Sequence, residues 1–326
     1  MAVQQPANAA PPPEVQVDFP DLSPWAAGNT GVPYLWTFDS GRPGPHVGLQ
    51  ALTHGNEVCG AIALDLFLRE GLRPLRGRLS LCFANVAAHR TWEPGEPYKS
   101  RFVDEDFNRV WDDSVLDGTR DTTELRRARE LRPFYDTVEY LLDIHSMSDP
   151  CPPLMLAGVQ KKGIDLALAL GIPEYVIVDA GHAAGRRLRD YAFFDVPGDP
   201  RTALLVECGQ HWARESPRLA VQIALRMLRQ FELILPEFLD RHLDSRPTPP
   251  QRVIEVTASI AIGTDAFRFI WPQDGTLTLV GNAGSLIALD GDREIRTPYD
   301  QCALVMPMRR PAKRGDTAVR LGRLVS

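Results

Sequence analysis

The chain has 326 residues, 24% of them charged, enough for one large unit with a substantial core and a smaller unit beside it. Its 36 basic side chains are outnumbered by 42 acidic ones, a formal charge of −6 with no long basic block, so it lacks the electrostatic footprint of a nucleic-acid or anionic-membrane binder. No apolar run reaches the roughly 18 to 20 residues of a membrane-spanning helix, and five scattered cysteines, an odd number set mostly in apolar runs, speak against a disulfide framework and for a reducing cytoplasm.

Residues 1–14 contain three consecutive prolines and neither the basic start nor the apolar core of a signal peptide, so a disordered tail is expected there. After a loop rich in Pro and Gly, residues 47–52 read as a buried strand. Residues 58–69 read as a helix that turns Val58, Ile62 and Leu66 to a core. Between them stands Leu52-Thr53-His54-Gly55-Asn56-Glu57, an H-x-x-E pair at a strand-to-helix junction. Such a pair is common by chance, but it offers an imidazole nitrogen and a carboxylate oxygen, both ligands for a divalent metal.

A strand is predicted over 78–86, and the run from Arg101 to Trp111 then mixes two arginines and an asparagine with acids and aromatics. Its plain reading is a surface loop crossed by ion pairs. Its functional reading puts Asn108 and Arg109 on a substrate carboxylate and Arg101 on a scissile carbonyl, because a planar guanidinium meets carboxylate oxygens two at a time. The arginines of 126–132 lie in a helical stretch with Glu124 and Glu130 and read as a solvated face.

A strand over 140–144 leads into Asp143-Ile144-His145-Ser146, which adds a second imidazole with Asp143 available behind it. Three protein ligands leave a fourth tetrahedral position for water, the arrangement of a hydrolytic rather than a sealed structural zinc site. Further strands are predicted over 154–157, 175–178 and 203–206, and helices over 165–170 and 218–234. Glu207 follows the last of these strands. A lone buried Glu is often half of a structural ion pair, yet next to a metal a partly desolvated carboxyl group with a raised pKa can take a proton from water and return it to a leaving nitrogen. The three ligands and Glu207 are thus all placed immediately after strands, where open α/β sheets have their crevice.

Weaker candidates are His182, in a glycine-flanked loop that reads as solvated or as lying over the site, His211, shortly after Glu207, which reads equally as lining the pocket or standing outside it, and Tyr299, before an apolar run, which reads as β-domain core or as reaching the site from there. The proline-rich stretch 244–250 marks a boundary. Beyond it, short apolar runs at 253–256, 267–270, 277–280, 286–289 and 303–306, separated by turn residues, read as a small C-terminal all-β domain. The expected organisation is a tail over 1–14, a catalytic α/β domain over 15–246 and a β domain over 247–326.

Four motifs, His54-Gly55-Asn56-Glu57, Asp106-Phe107-Asn108-Arg109, Asp143-Ile144-His145 and Val206-Glu207-Cys208-Gly209, in that order resemble the succinylglutamate desuccinylase and aspartoacylase family, a branch of the zinc carboxypeptidase superfamily, over roughly residues 45–326. The resemblance implies a zinc carboxypeptidase-like mixed central sheet flanked by helices, with one zinc ion (Zn2+) on His54, Glu57 and His145 and Glu207 as acid-base. It also implies Asn108 and Arg109 on the carboxylate of an N-acyl amino acid and Arg101 at the oxyanion. Phe107, where family members carry a smaller aliphatic residue, and the segment 146–153 depart from the pattern, and Arg186, Arg187, Arg189 and Arg201 compete for a second carboxylate contact. The expected function is a zinc-dependent amidohydrolase (deacylase) with a small-molecule partner, an N-acyl amino acid, and no nucleic-acid or membrane partner; a homo-oligomer is left open. The alternatives are a metallocarboxypeptidase acting on peptide C-termini and a non-catalytic metal- or ligand-binding module, against which the presence of Glu207 counts.

Overall fold

A computed structural model describes residues 13–181, 184–271, 277–308 and 313–325. The expected tail therefore lies almost wholly outside the described residues, and so does His182. The strands are β1 (Leu35–Asp39), β2 (His46–Ala51), β3 (Arg78–Phe83), β4 (Tyr140–Met147), β5 (Leu154–Leu156), β6 (Tyr175–Val178), β7 (Thr202–Gln210), β8 (Arg252–Ala261), β9 (Phe267–Phe269), β10 (Leu277–Val280), β11 (Leu286–Asp290), β12 (Arg293–Arg296), β13 (Cys302–Val305) and β14 (Thr317–Leu324). The helices are α1 (Cys59–Arg69), α2 (Val86–His89), α3 (Asp113–Leu116), α4 (Thr123–Tyr135), α5 (Lys161–Leu170), α6 (Glu215–Gln230) and α7 (Pro236–His242).

Strands β2 and β7 are buried at every position, the mark of central strands covered on both faces. They lie in a mixed sheet of 11 strands, in the order β1-β3-β2-β4-β7-β5-β6-β8-β14-β13-β10. Strands β3, β2, β4 and β7 are mutually parallel, and β5 runs antiparallel to β7. Alternate residues of β4 serve the two faces, as the pleat requires. Leu142 and Ile144 join the cluster built with Leu64, Phe67 and Ile223 of α1 and α6, and Leu141 joins the cluster with Leu125, Leu131 and Tyr135 of α4. No helix among the described residues is long and apolar enough to cross a membrane.

Past the proline-rich stretch the regular elements among the described residues are all β strands. Strand β8 pairs in parallel with β6, and β14, β13 and β10 continue the main sheet, while β9, β11 and β12 form a separate antiparallel sheet of three strands. Three strands escape a hydrophobic reading. β12 is Arg-Glu-Ile-Arg, β14 interrupts its apolar residues with Arg320, Gly322 and Arg323, and β1 is mostly half-buried, so cross-strand pairing rather than pattern makes them strands.

The arginine-rich helix α4 is not simply a solvated face. Arg127 donates to the carbonyls of Ala84, Phe83 and Pro33, and Arg129 to those of Leu116, Gly118 and Arg120, so both tie α4 to neighbouring backbone at the ends of β3 and α3.

Candidate metal centre and active site

Strand β2 ends at Ala51, and Leu52 then adopts a left-handed conformation with φ 59°, which turns the chain sharply into His54. Gly55 follows because nothing larger fits: a Cβ there would lie 2.3 Å from the backbone N of His89 and 2.4 Å from the carbonyl oxygen of Ser100. That close approach brings in Arg101, whose carbonyl accepts from the Gly55 N–H at 3.1 Å. Glu57 ends the turn and α1 begins two residues later.

His145 and Glu207 are not placed after strands, as their sequences suggest, but within β4 and β7. They stand directly opposite one another in the parallel β4–β7 ladder, whose register shifts between His145 and Met147. The ladder continues past the apolar residues because parallel partners go on satisfying its backbone groups, and a β-bulge then interrupts it beside the site.

His54, Glu57 and His145 are all buried and offer ligand atoms within 4.8 Å of one another. The Glu57 carboxylate lies between the two imidazoles, with His54 Nδ1 2.8 Å from Oε1 and His145 Nδ1 2.9 Å from Oε2, and Ser146 N–H donates to Oε2 at 3.2 Å. Each outer imidazole nitrogen faces a second carboxylate: His54 Nε2 is 3.0 Å from Asp106 Oδ1, and His145 Nε2 is 2.9 Å from Asp143 Oδ2. The latter pair is fully buried. Asp143 is itself held through Oδ1 by Thr53 at 2.7 Å and Gln50 at 3.1 Å.

This donor set fits a divalent metal. Outer nitrogens on carboxylates are the usual orientation of ligating histidines, leaving the inner nitrogens to converge with Glu57. Burial works to raise the Glu57 pKa, but His54 and His145 prevail and hold it well below the usual range.

Glu207 is the opposite case. It is 8% exposed, Oε2 has no partner, and burial followed by the nearby Glu57 charge pushes its carboxyl well above the usual range, against the pull of His145 and Arg101. Arg101 reaches the site from the far side, with NH2 3.0 Å from Asp106 Oδ2 and 2.9 Å from His54 Nε2, and NH1 3.4 Å from Glu57 Oε1. Burial opposes its charge, while Asp106 and Glu57 keep its pKa above the ordinary arginine value.

The Asp106-Phe107-Asn108-Arg109 motif is a single turn of 3-10 helix, capped by Asp106 on the Asn108 N–H at 2.8 Å. Phe107 is fully buried and meets Trp111 edge-on, at 5.4 Å and 77°, which accounts for a large side chain at that place. Asn108 is buried, and its Oδ1 accepts from Leu188 N–H at 2.9 Å. Arg109 is half-buried and donates to Asn108 O at 2.7 Å; desolvation, with Arg101, Arg187 and Arg320 crowding it, outweighs Asp106 and pushes its pKa down to about 10.

The four competing arginines separate. Arg187 is clamped by Asp179 and Asp190, Arg189 is fully buried against Asp190 and the carbonyls of Ala157 and Ala203, and Arg201 pairs with Asp199. Arg186 bridges Val110 through its backbone. His211 is buried with Nδ1 2.9 Å from Ser146 Oγ, one residue from His145, whereas Tyr299 hydrogen-bonds Thr257 at 2.6 Å and packs against the apolar cluster of the C-terminal strands. The role of Asp106 between His54 and Arg101 escaped the sequence reading; its signal was an acid standing two residues before the Asn-Arg pair.

Residues 43–189 match the family model of the succinylglutamate desuccinylase/aspartoacylase catalytic domain. No curated protein sequence matches the chain. Among solved structures, succinylglutamate desuccinylase from Chromobacterium violaceum shares 18% identity with a TM-score of 0.64, covering 90% of this chain and 89% of that one. The enzyme of the same name from Vibrio cholerae shares 19% at TM-score 0.63, covering 87% and 82%. The product-bound ectoine utilization protein EutE (DoeB) from Ruegeria pomeroyi shares 15% at TM-score 0.59, covering 88% of each chain. At such identities the structural likeness establishes the fold, and over residues 43–189 the chain is similar to the catalytic domain of the succinylglutamate desuccinylase/aspartoacylase family.

Proposed function

We propose that the protein is a zinc-dependent amidohydrolase that cleaves the amide bond of an N-acyl amino acid or a similar small carboxylate. The observation that carries this reading is a buried set of two imidazoles and one carboxylate with a second carboxyl group, Glu207, directly across the β4–β7 ladder and unpartnered at Oε2. One zinc ion held by His54, Glu57 and His145 supplies a Lewis acid that polarises the amide carbonyl and acidifies water.

Glu207 takes the proton of the attacking water and passes it to the leaving nitrogen, a task suited to a carboxyl group whose pKa burial has raised. Arg101 donates to the carbonyl oxygen as negative charge develops there. Asn108 and Arg109 hold the substrate carboxylate; the single described side-chain hydrogen bond of Arg109, to Asn108 O, leaves further guanidinium N–H groups for that ligand. In the same reading, residues 15–246 form the catalytic unit and 247–326 a β unit, and the cysteine pattern suits the cytoplasm.

The test is zinc-loaded protein with a panel of N-acyl amino acids and C-terminally free peptides, read as released amine, together with the metal content of wild type and His145→Ala. Turnover of acyl amino acids, with stoichiometric zinc lost in the variant, is expected. Preferential trimming of peptides, or equal zinc in both proteins, overturns the reading.

A further inference from the structure

Glu124, in the first turn of α4, is a fully buried carboxylate outside the metal centre. Its four described hydrogen-bond donors are uncharged N–H groups. Oε1 accepts from Val103 N–H at 2.7 Å and Asn85 Nδ2 at 3.0 Å, and Oε2 accepts from Asp104 N–H at 3.0 Å and Glu105 N–H at 3.2 Å. Three consecutive backbone N–H groups converging on one anion form a nest, here filled by a side chain of the same protein.

The clasp is reciprocal. Asp104 accepts from Thr123 N–H at 2.7 Å, and Glu105 accepts from the hydroxyl of Thr122, the cap of α4, at 2.6 Å. Asn85 carries the connection to the metal-binding turn, because its N–H donates to Leu52 O at 2.8 Å. Apolar burial does little for this loop, since Phe102 is 38% exposed and Val103 44%. What gathers the backbone N–H groups of residues 103–105 is the Glu124 carboxylate, with the Thr122, Thr123 and Arg120 contacts of Asp104 and Glu105 around it. On either side of those residues stand Arg101 and Asp106, which meet at 3.0 Å over His54.

We propose that Glu124 is a positioning residue for Arg101: by anchoring the backbone of residues 103–105 it sets the guanidinium where the scissile carbonyl oxygen must lie. This rests on the amidohydrolase reading for its catalytic consequence, but the anchoring itself does not. Glu124→Gln keeps the shape while turning an NH2 group toward N–H donors, so the nest is broken rather than emptied.

The experiment introduces Glu124→Gln into wild type and into Arg101→Met, and measures kcat, KM and zinc content with an active N-acyl amino acid. With Arg101 present, kcat should fall about tenfold to a hundredfold, because a displaced oxyanion donor acts only in the transition state. In the Arg101→Met background the further fall should be under about twofold, the sign that the two residues act through one interaction. Zinc content should not change. Hydrogen exchange of the 103–105 amides, measured without substrate, should speed up at least about tenfold as their bonds to the carboxylate are lost.

Equal losses of kcat in both backgrounds, or unchanged exchange, overturn the proposal. Should Glu124→Gln fail to fold, Val103→Pro carries the same comparisons. It removes the 2.7 Å donor at an exposed position, after a residue already in the extended conformation that proline requires, Phe102 at φ −151°, ψ 168°. A wild type inert on every acyl amino acid overturns the amidohydrolase reading instead, and the exchange measurement then decides the anchoring alone.

Discussion

Two clusters of buried acids and bases lie in the same half of the molecule, and they are built differently. Around Arg187 every charge is answered: the guanidinium donates to Asp179 at 2.7 and 3.0 Å and to Asp190 at 2.6 and 3.1 Å, and Arg189 completes the coordination of Asp190. Around His54, Glu57 and His145 the groups crowd together yet leave Glu207 Oε2 without a hydrogen bond. A cluster that satisfies itself is architecture, because opening it would strand charge in the core. A carboxyl oxygen left unsatisfied in a buried place, beside a set of metal-ligating side chains, marks a candidate functional site.

The contrast can be broken from either side. The largest effect is expected at the open cluster, where Glu207→Gln should keep its metal and lose kcat by a factor on the order of 10²–10⁴ as acid-base catalysis disappears. The same substitution should not destabilise the fold, since it replaces a carboxyl group whose ionisation burial already opposes. Near-normal turnover at full metal content would remove Glu207 from the chemistry. The closed cluster should respond in the opposite sense. Arg187→Met leaves Asp179 and Asp190 short of their main partner and should cost about 3 to 5 kcal/mol in urea unfolding, and a cost under about 1 kcal/mol would show that the network is not structural.

A third, smaller effect sharpens what satisfied burial means. His46 is buried, with its ring nitrogens 3.0 Å from Thr137 O and 2.8 Å from Ser80 Oγ, and burial together with the Arg78 charge lowers its pKa from 6.5 to about 4. The folded state thus prefers the neutral ring. Its contribution is complete above pH 6.5 and drains as pH falls toward 4, because the unfolded chain takes up the proton first. Between pH 7 and pH 4.5 wild type should lose about 2 to 3 kcal/mol more stability than His46→Gln does over the same interval. Parallel pH profiles for the two proteins would refute this.

The smallest effect concerns Arg109, which borders both clusters. Arg109→Lys keeps the charge but not the paired donors and should cost about 1.5 to 3 kcal/mol, roughly tenfold to a hundredfold in kcat/KM. Comparing an acid substrate with its carboxamide analogue locates the loss: wild type should prefer the acid, and the variant should lose most of that preference. Equal hydrolysis of acid and amide by wild type would take the carboxylate away from Arg109.

Residue chemistry in chain order was enough to single out His54, Glu57, His145 and Glu207, because few side chains ligate zinc or shuttle protons and each of these stood at or near the end of a strongly apolar strand. It was also enough for the alternation of strand and helix through α6, where burial on both faces demands continuous apolar runs. Tertiary structure alone decided which charges meet. That Asp106 and Asp143 stand behind the two imidazoles, that Arg187 and Arg189 are tied up in ion pairs with Asp179 and Asp190, and that Glu124 grips a loop about 20 residues away in sequence depend on contacts between distant segments. The β strands that follow the proline-rich stretch gave the same lesson. Their short runs announced strands, but a strand carries no sequence mark of the sheet it will join, so only backbone pairing could place β8 beside β6 and carry the main sheet on to β10.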